Sequence, residues 1–372
     1  MKINRKRIVQ GLLYLLAGLL VSCVLLTLIA YISNQSLPSA PEVTDRLDKL
    51  DKARLAEALQ LKGQLGGTVW PGWGDNEIPV LLWNQDYEFL IGLSDPPKGW
   101  ETVPNDTFHG EQYYRRTAED PQNFAVRLGD RWVASIATKY ETDAFLQGIF
   151  RDALPSVLEG IFPYRLLILP SEVQITALLH ESFHVQQVQV AVQKFSAAKA
   201  VYPFGERYWD VDASMRDAWE AEVALLEAAL EARTQAETAE IARQYLAQRD
   251  RRRMDADLNS ELLDFERCLE WLEGLAKYVE LAIWREAYQS PDYQPLMDIM
   301  DDPEFKEYAT FDRRWSQEIS QMKRQSEQAG DTRFYYTGMA QAHILDRLMP
   351  DWKNRAMQEG VFLEDLLRET LE

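Results

Sequence analysis

The chain has 372 residues, of which 46% are apolar and 27% charged, with 59 acidic against 40 basic side chains and a net charge of −19. That length can bury one large core or two smaller ones, whereas so acidic a chain argues against nucleic acid or an anionic membrane face as a partner. Its two cysteines, Cys23 and Cys268, stand in unlike contexts and argue against a disulfide framework.

An almost unbroken apolar run without charge occupies residues 8–32, preceded by Lys2, Arg5, Lys6 and Arg7 and followed by Ser33, Asn34, Gln35 and Ser36. About 20 apolar residues cross a hydrocarbon core, so the run predicts a single-pass transmembrane anchor. The basic flank puts residues 1–7 in the cytoplasm and the rest of the chain outside the cell membrane. A cleaved signal peptide would have a shorter apolar core, about 7 to 15 residues. Leu20-Val21-Ser22-Cys23 looks like a bacterial lipoprotein box, but the apolar run continues to Ile32, so Cys23 is read as a membrane-buried thiol.

Residues 33–65 read as a short linker and then an amphipathic stalk helix over 43–61. Over 66–138 short apolar and aromatic runs are punctuated by Gly, Pro, Asn and Asp. Residues 79–83 and 87–91 flank Asn84-Gln85-Asp86, and residues 124–128 and 132–136 flank Gly129-Asp130-Arg131. Two hairpins and an antiparallel sheet are expected there. Over 139–372 helical periodicity dominates, strongest at 143–150, 171–196, 212–249 and 258–288, followed by 304–329 and 339–348. The charge-dense stretch 231–257 reads as a solvated helix face and turn. The expected fold class is therefore α+β, a transmembrane helix followed by an antiparallel β region and a mainly helical region.

Within that helical region, His180-Glu181-Ser182-Phe183-His184 has the form H-E-x-x-H and uses two of the four histidines of the chain. On a helix, residues at i and i+4 share a face, so both imidazoles can bind one Zn²⁺, with Glu181 beside the metal as a general base that takes a proton from water. A structural zinc site has no need of a base at that position. A catalytic site needs a third protein ligand. His109 and His343 are available but carry no supporting pattern. Glu222 falls inside a broad apolar face that includes Trp219, Val223 and Leu226. A carboxylate there needs a metal, a donor or an arginine such as Arg249, Arg251 or Arg252.

The segment Trp271-Leu272-Glu273-Gly274-Leu275-Ala276-Lys277-Tyr278 resembles the W-L-x-E-G-x-A-x-Y segment of gluzincin metallopeptidases, including the aminopeptidase-N-like group, shortened by one residue before the glutamate. The resemblance covers two short motifs. It implies a zincin-like catalytic region with His180, His184 and Glu273 as zinc ligands and Glu181 as base, Glu222 remaining the competing third ligand. It also implies a phenol or imidazole that steadies the oxyanion, for which Tyr335 and Tyr336, ahead of a glycine turn at Gly338, are candidates. The activity implied is hydrolysis of a peptide or protein substrate by a membrane-anchored enzyme. The competing readings are a zinc-binding but proteolytically inactive envelope binding or assembly protein, and a hydrolase of a non-peptide amide.

Overall fold

The computed structural model describes residues 5–38 and 40–372, with side chains from Gln10 onward, so the basic flank and the cytoplasmic placement of residues 1–7 lie outside the described side chains. Helix α1 (Arg5–Gln35) is long and apolar enough over Gln10–Gln35 to cross a membrane. Its large apolar side chains face outward, Leu20 at 68% and Leu26 at 66% exposure. Helix α2 (Lys49–Val69) begins where Asp48 accepts a hydrogen bond from the Asp51 amide at 2.7 Å. It is not a stalk: Leu55, Ala58, Leu61 and Val69 are buried. The apolar stripe that suggested an exposed amphipathic helix is covered by two later helices of the same chain, an outcome that local spacing does not distinguish from a free-standing stalk.

Six strands form one sheet in the order β3-β4-β2-β1-β6-β5: β1 (Val80–Trp83), β2 (Tyr87–Ile91), β3 (Glu101–Thr102), β4 (Tyr114–Thr117), β5 (Phe124–Leu128) and β6 (Arg131–Ala137). Both expected hairpins are present, β1 with β2 and β5 with β6. The sheet is mixed rather than antiparallel, because β1 and β6 pair in parallel from Val80↔Ala134 to Trp83↔Ala137. Strand β1 is central and buried on both faces, which its continuous apolar run reflects. One sheet face joins the main core. The other carries a small cluster around Leu81, Leu90 and Val133.

Helices then follow: α3 (Lys139–Ala153), α4 (Ser156–Glu159), α5 (Ser171–Val190), α6 (Val192–Ala200), α7 (Gly205–Asp212), α8 (Arg216–Glu231), α9 (Gln235–Asp255) and α10 (Ser260–Leu269). A five-residue π segment (Glu270–Gly274) leads into α11 (Leu275–Gln289), and α12 (Phe311–Ser326), α13 (Thr332–Leu348), α14 (Trp352–Ala356) and α15 (Leu363–Leu371) complete the chain. Two expected long helices are divided. Ala191, at φ −134°, separates α5 from α6, and α9 starts afresh where Thr234 accepts from the Glu237 amide at 3.1 Å. Helix α5 packs on β6, α2 and α11 and is buried along nearly its whole length.

The charge-dense stretch is not solvated throughout. Arg249, Arg252 and Arg253 of α9 enter the core and meet Glu222, Glu266, Glu270 and Glu364. Arg249 donates to Glu270 at 2.6 and 2.9 Å and to Glu222 at 3.0 Å, while Arg252 donates to Glu222 and Glu266 at 2.6 Å each. Buried charges persist only when paired and hydrogen-bonded in this way. Glu270 belongs to the π segment, so the network clamps that segment from behind.

Candidate metal centre

On α5 the residues of the H-E-x-x-H motif divide by face. Phe183 turns away from the histidines and packs edge-on against Trp70 (ring centroids 4.8 Å) and Trp73 (5.9 Å), and the Trp73 indole donates to the Ser182 hydroxyl at 3.3 Å. Such aromatic contacts contribute about 0.5–1.5 kcal/mol each beyond their area, and they fix the rotation of the helix about its axis. His180 and His184 then stand on the opposite side with ring centroids 4.9 Å apart.

Glu273 completes the group. Its Oε2 lies 3.5 Å from His180 Nε2 and 3.2 Å from His184 Nε2, and one ligand atom from each of the three residues lies within 4.8 Å of the others. All three are buried. Residues three apart on an α-helix share a face, yet Glu270 reaches the arginine cluster while Glu273 reaches the histidines. The wider turn of the π segment opens the angle between them, a distortion common at functional sites. Helix α13 crosses this turn at a glycine pair. A Cβ on Gly338 would stand 2.3 Å from the Glu270 carbonyl oxygen, and one on Gly274 would stand 2.5 Å from Gly338 Cα. Gly338 therefore lies inside α13 as a point of close approach, not in the turn expected there.

Further side chains orient the three. Gln187 Oε1 is 2.8 Å from His184 Nδ1, and the Gln187 amide nitrogen donates to the Trp271 and Leu272 carbonyls at 2.9 and 3.1 Å. Because Nδ1 faces an acceptor, it carries a hydrogen, so in the neutral ring the lone pair falls on Nε2. That Nε2 is buried without a hydrogen-bond partner despite its nearness to Glu273. One unpartnered imidazole nitrogen beside a second imidazole and a carboxylate, all buried, is a group that could hold a metal ion. His180 Nδ1 lies 3.6 Å from Glu280, whose carboxylate is also held by Lys277 at 2.8 Å and Arg314 at 3.3 Å. The Tyr202 hydroxyl donates to Glu273 Oε1 at 2.9 Å, and the Tyr335 ring stacks on His180 at 5.7 Å.

Electrostatics follow from this crowding. Burial opposes charge on His180, but the carboxylates of Glu273 and Glu280 outweigh it and hold the imidazole up at about 10. Burial would raise Glu273, yet the two imidazoles keep it well below the usual carboxylate range. Burial pushes Glu181 up to about 7 against the pull of both histidines, and its Oε2 has no partner. Burial and then the Glu273 charge push the Tyr202 and Tyr335 phenols far above their ordinary range, so both stay protonated as donors.

Other expected residues fall elsewhere. Glu222 is not at the centre: both its oxygens are taken by Arg249 and Arg252, the ion-pair alternative that its apolar surroundings left open. Tyr336 is buried against Lys277 and Glu318 rather than facing the histidines, because the adjacent position on α13 points its ring another way. His109 packs edge-on against Phe108, and His343 packs against Tyr278 and Trp315. Cys23 and Cys268 are both free thiols, the first exposed and the second buried. Glu280 and Tyr202 were missed as site residues, and for Gln187, which follows the motif, the sequence yields a place in the cleft but no specific role. Gln187 follows His184 by three positions and Glu280 follows Glu273 by seven, so both could be found by continuing each helix face. Tyr202, in the turn after α6, carries no such signal.

Strand β5 forms one edge of the sheet, and its Phe124 ring lies 4.5 Å from that of His184. In comparisons with known proteins, no family model, no curated protein and no solved structure matches the chain.

Proposed function

We propose that the chain is a membrane-anchored, zinc-dependent metallopeptidase with a zincin-like catalytic region. The observation that carries this reading is the buried convergence of His180, His184 and Glu273, with Glu181 between the two histidines in sequence. The donor set, two nitrogens and one carboxylate oxygen, suits Zn²⁺ and leaves a coordination position free. When bound, Zn²⁺ supplies Lewis-acid chemistry, polarising a carbonyl and acidifying water.

The residues of the chain supply the rest. Glu181 takes a proton from the attacking water and returns it to the leaving amine. Tyr335, stacked on His180 and kept protonated, is a donor for a developing oxyanion, and Tyr202 steadies Glu273. The free edge of β5 offers backbone groups on which an extended peptide can lie beside Phe124. Helix α1 supplies the anchor, and the basic residues before it favour a cytoplasmic N-terminus with the catalytic region outside.

The test is digestion of a peptide library by the full-length protein and by Glu181→Gln, with zinc measured in both. Cleavage lost in Glu181→Gln with zinc retained supports the enzyme. Zinc in both proteins and no cleavage by either points to a zinc-binding envelope protein.

A further inference from the structure

Helix α3 has 15 residues, and only its first, Lys139, is buried; α4 has no buried residue at all. Between them and the following 3-10 turn (Tyr164–Leu167), large apolar side chains stand in the open: Phe145 at 68% exposure, Val157 at 80% and Leu166 at 79%, with Ile149, Phe150 and Leu158 beside them. An apolar surface on three successive elements marks something that covers it.

Its position relative to α1 says what. The Asn34 amide nitrogen donates to the Phe162 carbonyl at 2.7 Å, and Asn34 Oδ1 accepts from the Tyr164 amide at 3.2 Å. Phe162 in turn stacks on Phe150 of α3, with centroids 5.7 Å apart. The apolar segment is therefore tied to α1 where the helix turns polar. It also runs back along α1, since Ile161 and Leu166 line an open cavity with Leu26, Thr27, Ile29 and Ala30. Thr27 precedes Asn34 by seven positions, about 10 Å at 1.5 Å per residue. If Asn34 sits at the membrane surface, Ile161 lies at the depth where interfacial helices bury their apolar faces, about 5–10 Å into the headgroup and acyl boundary.

We propose that α3, α4 and the 3-10 turn form a second membrane contact, seated in the leaflet from which α1 emerges, with Phe145, Val157 and Leu166 among the acyl chains. The inference rests on α1 spanning the bilayer and is independent of the metal site. Two attachments hold the folded region against the bilayer, where α1 alone would leave it free to swivel. Arg151 and Arg165, the first stacked on Tyr164 and the second bonded to the Ser36 hydroxyl at 3.4 Å, stand at the rim where phosphate headgroups would meet them.

The test is nitroxide accessibility in the full-length protein in phosphatidylcholine vesicles. Single labels replace Val157→Cys and Leu166→Cys in a Cys23→Ser background, with Leu16→Cys reporting on α1 and Gln328→Cys on water. Oxygen access with exclusion of a water-soluble nickel chelate at Val157 and Leu166, as at Leu16 and unlike Gln328, is the expected result. Nickel access at Val157 and Leu166 with Leu16 in lipid overturns the second contact and leaves the anchor standing. Exclusion of both reagents there overturns it in favour of a protein partner. Nickel access at Leu16 removes the anchor and this inference together, without touching the metal-site reading.

Discussion

Replacing Gly338 by alanine tests whether the glycine crossing sets the position of Glu273. The added methyl would stand 2.3 Å from the Glu270 carbonyl oxygen and 2.8 Å from Gly274 Cα. A carbon normally keeps about 3.4 Å or more from such neighbours, so α13 and the π segment must part by roughly 1 Å. Alanine gains about 1 kcal/mol of helix propensity over glycine, but overpacking of a rigid core costs about 1–3 kcal/mol, occasionally more. The expected net change is a loss of up to about 2 kcal/mol. Metal geometry tolerates only about 0.2 Å of error, so zinc affinity is expected to fall by about 10- to 100-fold as Glu273 is drawn from the histidines. Urea denaturation of the metal-free protein gives the first quantity and chelator competition the second. Gly63→Ala is the control: this α2 glycine has nothing within 4 Å of an added Cβ, and about 0.5–1 kcal/mol of stabilisation is expected there. A Gly338→Ala protein with wild-type stability and zinc affinity would refute the crossing as the determinant of the site.

Two further outcomes follow from side chains behind the site. Gln187→Leu keeps the volume but removes the acceptor at His184 Nδ1 and the donor to the Trp271 and Leu272 carbonyls; competition with a fluorescent chelator should show zinc affinity lower by about 10- to 100-fold, and unchanged affinity would contradict the orienting role of Gln187. Burial, joined by the nearby arginine and lysine charges, holds His343 down at about 3 against an ordinary value of 6.5. Its folded form resists protonation, so its contribution is complete above about pH 6.5 and is lost as pH falls toward 3, by about 1.4 kcal/mol per pH unit. Between pH 6.5 and 4.5 that is about 2–3 kcal/mol, and stability curves for His343→Gln should be flatter over this range. Equal slopes in both proteins would contradict it.

Much of the architecture was legible because it is local. Both hairpins rest on alternation around short polar turns, and the two histidines share a face by helical spacing alone. What was not legible depends on distant partners. The parallel pairing of β1 with β6 joins segments about fifty residues apart, and the fate of α2 depends on whether α5 and α11 arrive to cover its apolar stripe. Glu222 and Glu273 show the same limit within the site. Each is a carboxylate amid apolar neighbours on a helix, and only the arrival of Arg249 and Arg252 at the first, and of two imidazoles at the second, separates them. The division of labour between Glu270 and Glu273 rests on a π turn, which no residue in Glu270–Gly274 announces.

The most direct measurement is the zinc content of the full-length protein by elemental analysis, compared with Glu273→Ala and Glu222→Gln. About one zinc per chain in the wild type, lost in Glu273→Ala and kept in Glu222→Gln, is the expected result. Absence of zinc from the wild type even after titration at neutral pH, or its loss with Glu222 and not with Glu273, would contradict the metal centre described here.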